Sequence, residues 1–219
     1  MEKLLTLQEE LTEAKVKLVA VSKTHGPEAI LRLYREGQRD FGENRVQELL
    51  EKQPVLPADI RWHLIGHLQT NKVKYVVPFV HLIHAVDSPK LLFEIDRRAE
   101  AIGRVIPCLL QFKIAEEESK FGLSWEEATQ LLEDPRFPEL KHVLIAGVMG
   151  MGTLTDDEAQ TRREFRTLKR YFDQLKSTFF PDSDSFRELS MGMSDDYHLA
   201  IEEGSTMVRI GSLLFGERE

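Results

Sequence analysis

Apolar residues come along this chain in short bursts, with polar stretches of helical spacing between them. Leu4, Leu7, Leu11 and Ala14 recur at alternating spacings of three and four, which predicts an amphipathic helix over 2–15. The next burst, Leu18 to Val21, is a continuous apolar run bounded by Gly26-Pro27, the pattern of a strand buried on both faces. Further strands are expected near residues 40, 62, 83, 108, 144, 188 and 208. Helical patterns fall between them at 28–36, 45–51, 70–77 and 88–101, the last opened by Ser88-Pro89. Ser124–Glu127 and Thr155–Glu158 fit capping boxes, the second opening a long helix over 156–177, and 195–203 closes the series.

Strands alternating with helices imply a parallel sheet. An open doubly wound sheet competes, but eight such units in 219 residues favour a closed (β/α)8 TIM-type barrel with an N-terminal helix. No linker, low-complexity tract or strong repeat interrupts the pattern, so 1–219 reads as one domain.

The net charge of −8 argues against a nucleic-acid partner, which calls for a basic footprint. No apolar run approaches the roughly 18 residues that span a bilayer. The acidic, helical N-terminus has no basic leader pattern, so a cytoplasmic protein without a membrane partner is expected. The single Cys108 excludes an internal disulfide and a multi-cysteine zinc site.

In a barrel, the residues that follow each strand share one face. Here that face collects Lys23, Asn44, His67, Lys113 or Lys120, Met149, and the clusters 190–194 and 209–212. A lysine at such a strand end can attack a carbonyl, although a lysine snorkelling at the surface is the plain alternative. SMGMSDD (190–196) and GSTMVRIGS (204–212) carry small residues that let backbone N–H groups approach an anion. Barrels often bind phosphate after strands seven and eight. Ser194 as a simple N-cap, Gly211 as a turn residue and Arg209 as a carboxylate partner are the structural alternatives. A lysine facing a phosphate cup suggests a ligand with both a phosphate and an aldehyde, and pyridoxal 5′-phosphate has both. His63 lies in a strand, so His63 and His67 lack the helical spacing of a zinc pair; His63, His81 and His84 read as strand or interior residues. Gly147, Gly150 and Gly152 read as a strand-exit turn.

AVSKTH (20–25), DFGENRVQE (40–48), WHLIGHLQTNK (62–72), SKFGL (119–123), SMGMSDD (190–196) and GSTMVRIG (204–211) together closely resemble the pyridoxal phosphate homeostasis protein family. The resemblance spans nearly the whole chain. It implies a single barrel similar to the N-terminal domain of alanine racemase, with Lys23 holding pyridoxal phosphate as an aldimine. It also implies that Arg209 faces the pyridine nitrogen and keeps it unprotonated. Phosphate contacts would fall on Ser194, Thr206, Gly211 and Ser212, and Asn44 and Met149 would pack on the ring. His67 receives no role.

Racemases of this kind need a second domain that contributes a tyrosine. This chain ends directly after the barrel pattern, and Tyr197 is the nearest tyrosine to a strand end. The expectation is therefore a monomeric, non-catalytic carrier or buffer of pyridoxal phosphate, with pyridoxal-phosphate-dependent apoenzymes as recipients. A pyridoxal-phosphate-dependent amino-acid racemase is the alternative. Whether Lys120 offers a second cofactor site stays open.

Overall fold

A computed structural model describes residues 2–116 and 121–216. Helix α1 (Glu2–Glu13) buries Leu4, Leu7 and Leu11, and the chain turns at Lys15 into β1 (Lys17–Val21). Pro27 opens α2 (Pro27–Arg35) at the first helical position, where its missing N–H removes no helical bond. Next come β2 (Asp40–Glu43), α3 (Val46–Lys52) and β3 (Arg61–Leu64). A 3-10 turn at Thr70–Lys72 leads into the short α4 (Val73–Val76), and β4 (Leu82–Val86) follows.

Ser88 caps α5 (Pro89–Glu100) by accepting from the Leu91 N–H. After β5 (Ile106–Lys113), α6 (Trp125–Glu133) starts on the expected capping box, with Ser124 and Glu127 each accepting from the other's backbone N–H. The remaining elements are β6 (Val143–Met151), α7 (Glu158–Thr178), β7 (Glu188–Ser190), α8 (Tyr197–Glu202), β8 (Met207–Ile210) and α9 (Ser212–Phe215).

The eight strands form a closed parallel barrel in chain order, and β8 returns to β1 with Lys17 opposite Met207 and Ala20 opposite Ile210. Among the described residues, closure leaves no edge strand to pair with another chain. Alternate residues of each strand face inward. Val19, Leu82, Leu109, Ala146, Met149 and Met207 pack together as an apolar interior layer. Leu18, Ala20, Val208 and Ile210 point the other way, into the larger core between strands and helices.

Two local expectations are corrected. Gly147 and Gly150 lie inside β6 rather than in an exit turn, and the pairing with β5 slips at that point: Cys108 faces Ile145, while Leu109 faces Gly147. The N-cap of α7 is Asp157, which accepts from the N–H groups of Ala159 and Gln160. Thr155, two residues before that cap, instead accepts from the Asp157 N–H.

Candidate functional site

A cavity of about 630 Å³ opens at the C-terminal ends of the strands. The two-residue step of β1 carries its inward face from Val19 through Val21 to Lys23, so the lysine enters this cavity from the floor's rim. Its neighbours in the chain are tightly braced. Ser22 donates its hydroxyl to Glu43 Oε1 at 2.6 Å, and the buried Lys52 ammonium donates to the Ser22 carbonyl, to Glu43 and to Glu48 at 2.7–2.9 Å. On the other side Thr24 takes a left-handed φ of 68°, and its N–H donates to Glu48 Oε2 at 2.7 Å. Such a backbone conformation persists only where its surroundings hold it. Burial raises the carboxyl of Glu43 against the opposing bonds from Lys52 and Ser22.

Beside Lys23, at the exit of the neighbouring β8 and in the loop after β7, stand Ser194, Arg209, Gly211 and Ser212. Ser194 Oγ accepts from the Gly211 N–H at 3.2 Å, tying the loop after β7 to the exit of β8. Arg209 is buried; its Nη1 donates to Ser190 Oγ at 2.6 Å and its Nη2 to the Gly150 carbonyl at 3.0 Å. Burial pulls its guanidinium down to about 10, with Asp196 opposing, so it remains a cation at neutral pH. One wall is aromatic: His67 stacks on Phe121 at 3.9 Å and bonds Asp87 through Nδ1 at 2.8 Å. Gly66 lets this wall close, because a Cβ there would lie 2.3 Å from the Asn44 carbonyl oxygen.

Lys23, Asn44, Ser194, Arg209, Gly211 and Ser212 thus line one cavity. Two other expected residues do not. Thr206 precedes β8, so it sits at the opposite, N-terminal end of the barrel. There its carbonyl accepts from the Lys17 N–H and its hydroxyl from the Leu189 N–H. Met149 is fully buried in the interior layer, one inward step too deep; Met151, the next residue on that side of β6, reaches the cavity.

Lys113 is exposed and outside the lining, and Lys120 lies outside the described residues. Tyr197 is directed away from the cavity, with its hydroxyl donating to Glu10 on α1 at 3.2 Å. Gln111 and His25 join the lining without having been singled out. A polar Gln111 inside the apolar run of β5 was a readable signal.

With a lysine, an inward arginine and two serines at the top of its closed parallel barrel, the chain falls in the class of the alanine racemase N-terminal domain. The family model for "Alanine racemase, N-terminal domain" matches residues 2–219. Within that class the chain belongs to the pyridoxal phosphate homeostasis protein family. The protein of that name from Helicobacter pylori is 43% identical over 204 residues, covering 92% of this chain and 88% of the relative. PipY of Synechococcus elongatus, solved without PLP, superimposes with a TM-score of 0.89 at 39% identity, covering 98% of this chain and 99% of PipY. Its structure with PLP bound gives 0.85 at 38% identity with the same coverage. Alanine racemase from Clostridium difficile shares the fold, with a TM-score of 0.75 at 15% identity over 100% of this chain and 60% of the racemase.

Proposed function

We propose that this chain binds pyridoxal 5′-phosphate through Lys23 and acts as a carrier or buffer of the cofactor, passing it to apoenzymes without turning over a substrate. The observation that carries the reading is the meeting of Lys23, Arg209, Ser194 and Ser212 around one cavity. The donor set fits the three parts of the ligand. The Lys23 amine suits an aldehyde, and the hydroxyls of Ser194 and Ser212 with nearby backbone N–H groups suit a phosphate. Arg209 offers only donors, so a ring nitrogen placed against it has to accept and stay unprotonated. When bound, the cofactor supplies a carbonyl for amines and a ring that accepts electrons.

An unprotonated ring nitrogen weakens that electron sink, which favours holding over catalysis. The bond of the Tyr197 hydroxyl to Glu10, outside the cavity lining, also supports a non-catalytic site, since it leaves the cavity without that phenol as an acid or base.

The test is absorbance of the purified protein with added pyridoxal phosphate, wild type beside Lys23→Ala, with a panel of L- and D-amino acids assayed for racemisation. The wild type should acquire a visible band that Lys23→Ala lacks, and racemisation should not exceed that of free cofactor. Turnover well above free cofactor would defeat the carrier reading.

A further inference from the structure

A continuous chain of polar side chains runs through an otherwise apolar barrel interior, from the end opposite the cavity up to Arg209. Asp40 on β2 meets His63 Nε2 on β3 at 2.9 Å, and His63 Nδ1 meets His84 Nε2 on β4 at 2.9 Å. His84 Nδ1 meets Ser190 Oγ on β7 at 3.1 Å, and Ser190 accepts from Arg209 on β8 at 2.6 Å. Four strands besides β8 each contribute a member, and His63, His84 and Ser190 are completely buried. Buried polar groups cost stability unless each is satisfied, so a fully satisfied chain in this place calls for a role.

We infer that Asp40, His63, His84 and Ser190 form a one-way relay of hydrogen bonds that positions Arg209 and balances its buried charge. They are thereby positioning residues for the ligand nitrogen that Arg209 faces. The inference rests on the reading of the cavity given above.

The proton inventory follows from the two ends. Asp40 is an ionised carboxylate: burial alone would raise it, but hydrogen bonds from Arg61 and His63 hold it well below the usual range. It can only accept, so His63 donates from Nε2. Burial keeps His63 neutral, with Asp40 opposing, so its Nδ1 is bare and accepts from His84 Nε2. His84, pushed well below its ordinary value by burial and then by His63 and Arg209, is likewise neutral. Its bare Nδ1 accepts a hydrogen bond from the Ser190 hydroxyl, which leaves Ser190 Oγ lone pairs for Arg209. All four hydrogen bonds point from the guanidinium toward the carboxylate, and aligned bonds of this kind polarise one another.

Among the described residues, the other titratable groups at the lower end are Arg61, His81 and Lys17, which pairs with Glu188 of β7. Asp40, His63 and His81 also stand close enough to share a cation. The bidentate grip of Arg61 on both Asp40 oxygens, at 2.9 and 2.5 Å, already supplies that carboxylate with a positive partner and favours the relay over an ion.

The first test needs no cofactor. Nitrogen-15 NMR of the imidazoles in the ligand-free protein at neutral pH should show His63 and His84 as neutral Nε2–H tautomers. An Nδ1–H tautomer or an imidazolium at either position overturns the relay. The second test compares His84→Leu, which cuts the chain, with His84→Gln, whose amide and carbonyl can keep the donor and acceptor. His84→Leu should weaken pyridoxal phosphate binding about tenfold, the scale of one orphaned buried bond, and shift the pH profile of the bound absorbance; His84→Gln should largely restore both. Unchanged affinity and profile in His84→Leu would reduce the chain to packing and overturn the inference. If His84→Leu does not fold, Ser190→Ala makes the same cut beside Arg209. Failure of the wild type to take up pyridoxal phosphate would refute the cofactor reading instead, with the tautomers still deciding whether the relay exists.

Discussion

At Gly147 the backbone takes a φ of 151°, and a Cβ there would lie 1.8 Å from the carbonyl oxygen of Glu188. The slipped pairing of β6 against β5 depends on a residue without a side chain at this position. Gly147→Ala should therefore destabilise the protein by about 3 kcal/mol or more in urea denaturation, because backbone rather than a side-chain tip must move. A loss under about 1 kcal/mol would show that β6 and β7 separate easily. At the same scale, the cavity residues were legible where a motif follows its strand: Lys23, Asn44, Ser194, Gly211 and Ser212 all do. Arg209 was grouped with them as a residue following its strand; it lies within β8 and still reaches the same cavity. Thr206 was misplaced because it stands before its strand. Met149 was misplaced because strand length and the slip at Gly147, neither visible in sequence, decide which methionine reaches the mouth. The contacts of His63 and His84 could not be read at all, since they depend on register between β3, β4 and β7.

Among the elements, alternating apolar runs and helical stretches located every strand of the barrel, because each strand buries both faces and each helix only one. Ends were less legible where several capping residues crowd together. TLTDDE (153–158) offers Thr155, Asp156 and Asp157, and the cap falls on Asp157. Upstream, Glu164 of α7 fixes the approach by accepting from the Thr153 N–H and hydroxyl at 2.7 Å and from the Glu116 N–H at 3.0 Å. Asp157→Ala should cost about 1 kcal/mol in thermal or urea denaturation, and Thr155→Ala only a few tenths. The reverse order would return the cap to Thr155.

For the whole molecule, the buried histidines impose a pH dependence on folding. His63 and His84 stay neutral in the fold, whereas the unfolded chain takes up protons there as pH falls through about 6.5. The unfolded state then binds more protons, so stability declines with falling pH, by up to about 1.4 kcal/mol per pH unit for each histidine. Asp40, held low in the fold, extends the decline below about pH 4, while the raised Glu43 acts in the opposite sense just above its ordinary value. Denaturation midpoints between pH 7 and 5 should fall less steeply in His84→Gln than in the wild type. Equal slopes would mean that His84 takes up a proton in the folded state.

The central claim is that one cavity, anchored by Lys23, receives pyridoxal 5′-phosphate, and borohydride reduction of the loaded protein followed by peptide mass mapping tests it most directly. Reduction converts a lysine–aldehyde linkage into a permanent bond and so marks the residue that held the ligand. The expected result is one added pyridoxal phosphate per chain, carried by the peptide containing Lys23, and no specific label in Lys23→Ala. Label spread over surface lysines, or centred on another lysine with Lys23 unmodified, would contradict the account.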